Sequence, residues 1–162
     1  MDGEVRSGGC ACGAARYEVR GEPIFVNNCY CHQCQRQTGS TSVVNMFYEA
    51  ERLALRSGET TRHVVKAGSG GDHVIVRCAA CGTALWSHYP RLGEYGAGVR
   101  LGTLDEPGGI RPDAVVYAAE KMEWTQLPPD IPAFEAYYNP SELLPPERIA
   151  RLKALAAKAR AA

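Results

Sequence analysis

Seven cysteines confined to three short motifs constrain this chain more than any other feature. The motifs are Cys10-Ala11-Cys12-Gly13, Cys29-Tyr30-Cys31-His32-Gln33-Cys34 and Cys78-Ala79-Ala80-Cys81-Gly82. The central one fuses a CxC to a CxxC, so three sulfurs within six residues can face one cation from a single short turn. Zn²⁺ prefers tetrahedral sulfur and nitrogen ligands at about 2.3 Å, so this trio fills three corners and leaves the fourth in question. Each outer pair is followed by a glycine, which lets the chain turn tightly while backbone amides approach the sulfurs. Cys10, Cys12, Cys78 and Cys81 are therefore expected to form a closed structural zinc site, and Cys29, Cys31 and Cys34 an open catalytic one. Two zinc ions per chain are expected, with the open site the one that empties more easily. Two other arrangements use the same residues: Cys10 and Cys12 could pair with Cys29 and Cys31, and four cysteines also hold an iron–sulfur cluster.

The odd cysteine count argues against a closed disulfide framework. With no apolar core of a signal peptide near Met1 and no apolar run approaching the roughly 18 residues of a membrane span, a cytoplasmic location is expected, where clustered thiols stay reduced. Eighteen basic residues cancel eighteen acidic ones, so no overall field points to nucleic acid or an anionic membrane. The 162 residues suffice for one well-cored domain.

Along the chain, a tail ends at Gly8-Gly9. Ala14 to Arg20 alternates Tyr17 and Val19 against charge and reads as a strand. A second strand starts at Ile24-Phe25-Val26 and feeds the central motif; a third runs from Thr41 to Tyr48. Further short strands are expected at Arg52–Leu55, Arg62–Lys66, His73–Arg77, Ala84–His88, Gly96–Leu104 and Ala114–Ala119, with glycine-rich turns between them. This pattern makes the fold class mainly β. Leu127 to Pro132 reads as an irregular wrapping segment. Ser141 can cap a helical turn, but Pro145-Pro146 is the better helix start. From there Ile149, Leu152, Leu155 and Ala156 form a stripe opposite Arg148, Arg151, Lys153, Lys158 and Arg160, which predicts an amphipathic C-terminal helix with a solvated basic face. Residues 1–144 are read as the zinc-binding domain and 145–162 as its helical extension.

Three thiolates around Zn²⁺ sum to a charge of −1, which makes the metal a weaker Lewis acid than one held by neutral imidazoles. Chemistry that needs a bound water ionising near pH 7 is disfavoured. A thiol, with a free pKa of about 8.5, needs a smaller push, and on such a metal it stays nucleophilic. The ligand set thus points to thiol substrates.

With these residues in place, the chain resembles the glutathione-dependent formaldehyde-activating enzyme family, which shares its domain with centromere protein V. The resemblance rests on Gly9 to Ala14 with Arg16-Tyr17, on Cys29 to Gly39, and on Cys78 to Thr83 with Leu85. Gly102-Thr103-Leu104-Asp105, Pro112, Lys121 and Trp124 extend it. Histidine usually stands in that family where this chain has Tyr30, and the helix from Pro145 lies outside the match. The resemblance implies stacked antiparallel sheets in a tent-like shape, with the same four-plus-three division into structural and catalytic zinc. It also implies a carbon–sulfur lyase activity, the addition of glutathione to formaldehyde to give S-hydroxymethylglutathione, or its reversal.

Other residues carry two readings each. His32 is either a fourth ligand or a solvent-facing side chain. Arg36 either holds a substrate carboxylate as a planar fork or makes a surface ion pair. Thr38 and Ser40 are read as capping the turn, His88 as a half-buried strand histidine, Trp86 and Trp124 as packing, and Lys121 as solvated. The leading reading is an enzyme joining a glutathione-type thiol to a small aldehyde. Its rivals are a non-enzymatic zinc module, which needs His32 as a fourth ligand, and a thiol-redox protein cycling Cys31 and Cys34.

Overall fold

Alternation along the strands decides which residues meet. In the computed structural model, which describes residues 3–162, Tyr17 and Val19 turn inward from β2 (Arg16–Arg20) while Arg16, Glu18 and Arg20 stay at the surface. β2 is the middle of a three-stranded antiparallel sheet, flanked by β1 (Val5–Gly9) and β5 (Leu53–Ser57). The stretch read as a tail is thus a paired strand. Gly8 and Gly9 carry no strand signal, yet Gly8 is needed there, because a Cβ would lie 2.5 Å from the Tyr17 ring.

The second sheet has seven strands. They are β3 (Phe25–Cys29), β4 (Val43–Glu49), β6 (Thr60–Lys66), β7 (Asp72–Cys78), β8 (Ala84–His88), β9 (Gly96–Arg100) and β10 (Ala114–Val116). Their order across the sheet is β10-β3-β4-β9-β8-β7-β6. Every neighbouring pair is antiparallel except β10 with β3. Two expected strands are shorter than predicted: after Arg100 the chain turns through Leu101–Thr103, and after Val116 it turns at Tyr117, whose φ is 55°. The wrapping segment runs beside β10, where the Val115 amide donates to Pro132 and the Phe134 amide to Val115.

Register explains the core. Val26, Met46, Val99, Trp86 and Val76 pair in sequence across five strands and form a continuous apolar row. The three-stranded sheet covers it, with the Tyr17 ring edge-on to Trp86. On the opposite face Phe25 and Phe47 pair and stack at 4.1 Å. There they pack with Leu155 of the C-terminal helix.

That end of the chain holds two helices. Asn139 caps α2 (Pro140–Leu143) by accepting from the Ser141 amide, and α3 (Pro146–Ala161) starts with proline in its first turn. The expected apolar stripe is present, but the basic face is not simply solvated. Arg148 forks onto Asp113 and donates to the Ile24 carbonyl, while Arg151 forks onto Glu49. Long arginine stems let these charges reach back to the sheet and clamp the helix down. No helix among the described residues is long and apolar enough to cross a membrane.

Candidate metal centres

The two cysteine pairs converge. Cys10 follows β1 and Cys78 ends β7, and the sulfurs of Cys10, Cys12, Cys78 and Cys81 all lie within 4.8 Å of one another. Sulfur separations of 3.4 Å (Cys10–Cys12) and 3.9 Å (Cys12–Cys78) bracket the tetrahedron edge of about 3.8 Å that follows from Zn–S near 2.3 Å. The two turns share one pattern: the Cys10 amide donates to Ala15 and the Cys78 amide to Thr83, and Gly13 and Gly82 donate back to Cys10 and Cys78. Both glycines sit at positive φ, 78° and 74°, where a side chain would be strained. Thr83 ties the turns together, since its hydroxyl meets the Cys81 sulfur and accepts from the Ala11 amide.

The sulfurs are unequal. Thr83, through its hydroxyl and its amide, holds the Cys81 thiol down to about 5. Cys12 is pushed up to about 11; the Ala14 amide favours its thiolate, but Cys10, Cys81, burial and Cys78 together outweigh it. Four facing thiols cannot all ionise unless a cation supplies the missing charge. The donor set fits one metal ion.

The trio is assembled from a strand end and a helix start. Cys29 closes β3; Cys31 caps α1 (His32–Thr38), its sulfur accepting from the Cys34 amide at 3.4 Å; Cys34 lies in the first turn. The three sulfurs lie within 4.8 Å of one another. Among the described residues, no fourth histidine, cysteine or carboxylate ligand joins them. Val43, Ala114, Val116 and Tyr138 wall the site with apolar surface. Facing sulfurs and burial push the Cys29 thiol up, whereas hydrogen bonds from Cys29, Cys34 and backbone amides push Cys31 down. Without a metal the site therefore holds less than its full negative charge. It fits a cation with three protein ligands and one free position.

The other predicted residues distribute as follows. The His32 amide donates to Glu120, and its exposed ring faces the same carboxylate at 3.4 Å and does not join the three sulfurs. Arg36 is exposed on α1, and no hydrogen bond or ion pair holds it among the described residues. Thr38 caps the helix end by donating to the Cys34 carbonyl. His88 is buried against the Gly96 carbonyl, Trp86 is core, and Trp124 is 73% exposed.

Sequence reasoning passed over the residues that seat α1. Gln35 is buried and donates to the Tyr30 and Glu120 carbonyls. Gln33 and Gln37 flank the fully buried His73, whose ring stacks on Tyr89 at 4.2 Å. Burial, with Arg100 adding to it, pushes His73 down to about 4, so this imidazole stays neutral at pH 7. Arg100 donates to Gln37 as well. The glutamines alternate at 33, 35 and 37, a spacing that signals nothing until the helix is docked. A cleft of about 630 Å³ runs beside α1 towards the second cysteine turn, lined by Gln37, Thr38, Arg77, Cys81, Thr83 and Arg100. A larger one, of about 1090 Å³, lies between β1 and α3, away from both centres, and its charged side chains include the pairs Arg6–Glu22 and Arg148–Asp113.

A family model described as glutathione-dependent formaldehyde-activating enzyme matches residues 5–120, which includes both cysteine clusters. A crystal structure of a Rhodobacter sphaeroides protein is similar at 23% identity and a TM-score of 0.47, covering 65% of this chain and 91% of that one. A search of curated proteins returns no match.

Proposed function

This chain belongs to the glutathione-dependent formaldehyde-activating enzyme family, and from that premise we propose that it is a cytoplasmic zinc enzyme joining a glutathione-type thiol to a small aldehyde such as formaldehyde, or cleaving the adduct. The observation that carries this reading is the trio: three converged sulfurs in an apolar wall, with no fourth protein ligand among the described residues. In this reading Cys29, Cys31 and Cys34 hold the catalytic zinc, and Cys10, Cys12, Cys78 and Cys81 hold the structural one. When bound at the trio, zinc supplies the positive charge that ionises an incoming thiol at neutral pH.

The chain's own residues do the rest. Cys29, Cys31 and Cys34 would hold the metal, Cys29 and Cys34 from buried positions and Cys31 from a half-buried one. Val43, Val116 and Tyr138 exclude water, so that the aldehyde meets sulfur and not hydroxide. The sulfur bonds to the carbonyl carbon, the C=O π bond opens, and the proton lost by the thiol ends on the new hydroxyl; cleavage reverses each step. Arg36 remains our choice for the substrate carboxylate, being the exposed guanidinium on the helix that carries Cys34. The non-enzymatic alternative needs a closed second site, and its candidate ligand His32 is engaged with Glu120.

Exchange spectroscopy on a mixture of glutathione and ¹³C-formaldehyde tests the proposal. Zinc-loaded protein should accelerate interconversion of free and S-hydroxymethyl glutathione well beyond the uncatalysed rate. An exchange rate unaffected by loaded protein, with glutathione or with other small thiols, would defeat it.

A further inference from the structure

Arg100 is 4% exposed, and among the described residues its guanidinium bonds only to neutral oxygens: Asn45 Oδ1, Ser87 Oγ at 2.9 Å, Gln37 Oε1 at 3.1 Å and the Tyr89 hydroxyl at 3.3 Å. Its Nε is buried with no partner. An arginine cannot shed its charge, and burying a lone ion costs several kcal/mol, so a counter-charge must lie nearby. Among the described residues, no carboxylate is a partner. Tyr89 does not supply one either, because burial pushes its phenol well up.

Sheet register places Arg100 and the three-cysteine centre on one face of the sheet. Asn27, Asn45 and Arg100 pair in one row across β3, β4 and β9, and Cys29 lies two residues beyond Asn27, on the same face. α1, carrying Cys31 and Cys34, lies against β4 and meets Arg100 through Gln37. The other basic groups facing this space do not compete: His73 is held neutral, and Arg77 points to the Gly82 and Gln37 carbonyls.

We propose that Arg100 is the built-in counter-cation of the three-cysteine centre, a positioning residue that lets the site take a fourth, anionic thiolate in preference to a neutral ligand. Three thiolates and a divalent cation sum to −1, and a bound thiolate makes −2; in an apolar wall that second charge is costly unless a fixed cation offsets it. The effect on thiol binding rests on the function proposed above. The effect on metal affinity does not.

The test compares Arg100→Gln and Arg100→Lys with wild type. Cobalt(II) affinity of the two centres is read by chelator competition, and glutathione affinity by calorimetry on the loaded protein. Because a neighbouring opposite charge shifts an ionisation by about 1–3 pH units, Arg100→Gln should weaken cobalt at the trio about tenfold or more, and glutathione likewise. Cobalt at the four-cysteine centre should hold, and Arg100→Lys should recover most of both losses. Unchanged cobalt affinity in Arg100→Gln, or equal losses in the lysine and glutamine variants, would overturn the proposal. If wild type binds cobalt at the trio but ignores glutathione, the enzyme reading fails while the metal comparison still judges Arg100. Should Arg100→Gln not fold, Gln37→Leu decides: it cuts the guanidinium's link to α1 and keeps the charge, so trio affinity should stay near wild type. A tenfold loss there would mean that the hydrogen bond, not the charge, matters.

Discussion

Cys78→Ser is expected to release one metal ion and to lower the thermal midpoint by about 10–20 °C, or to prevent folded protein from accumulating. Cys78 is buried at the end of β7, and through Cys10 the centre joins the turn after β1 to the β7–β8 hairpin. These belong to different sheets. The apolar row around Met46 and Trp86 lies between the sheets, so loosening the clamp exposes it. Structural zinc binding is worth about 10–16 kcal/mol in small metal-folded domains, against a total stability of about 5–15 kcal/mol. Losing even about 5 kcal/mol moves the midpoint by the stated amount in a chain of this size. Calorimetry with metal analysis checks it, and prolonged chelation of wild type should reproduce the same fall. A variant that melts like wild type would show that this centre is not a structural clamp.

Cys34→Ser should behave in the opposite way. It is expected to cut thiol–aldehyde exchange by about a thousandfold or more while moving the thermal midpoint by only a few degrees. Cys34 is buried on α1 among Val43, Ala114 and Val116, but the helix is also seated by Gln33 and Gln35. A serine fills nearly the same space, and its poorly matched hydroxyl costs about 1–2 kcal/mol. With two sulfurs left, the trio no longer holds a metal tightly, and a metal's contribution to charge stabilisation is several kcal/mol, each 1.36 kcal/mol being tenfold in rate. One metal per chain should remain. Activity that survives this change, or a fold that collapses with it, would move the trio from chemistry to structure.

The cysteine geometry was legible because ligand spacing is a local property: Cys10, Cys12, Cys78 and Cys81 converge, as do Cys29, Cys31 and Cys34. Strands with clear alternation were legible too, and so was Ala84–His88, buried along its whole length, with the same bounds in sequence and structure. β1 was not, because Gly8 and Gly9 have no strand preference and pair only through tertiary contact, with β2 and, for Gly8, with Leu104. α1 was read as a turn, since its anchors act through tertiary partners such as Lys66, His73 and Glu120. Arg148 and Arg151 looked like solvated helix charges, and only the position of Asp113 and Glu49 shows otherwise. Arg100 illustrates the limit best: its meaning comes from the β4–β9 register, which no neighbouring residue announces.

The central claim is that the trio is an open, thiol-accepting metal site, and titrating cobalt-loaded wild type with glutathione tests it most directly. Two cobalt ions per chain are expected, with thiolate-to-metal absorption growing as glutathione binds at one of them and the other staying silent. In Cys34→Ser, one ion should remain and glutathione should change nothing. If the wild-type spectrum ignores glutathione at full cobalt loading, the trio is a closed site and the enzyme reading falls.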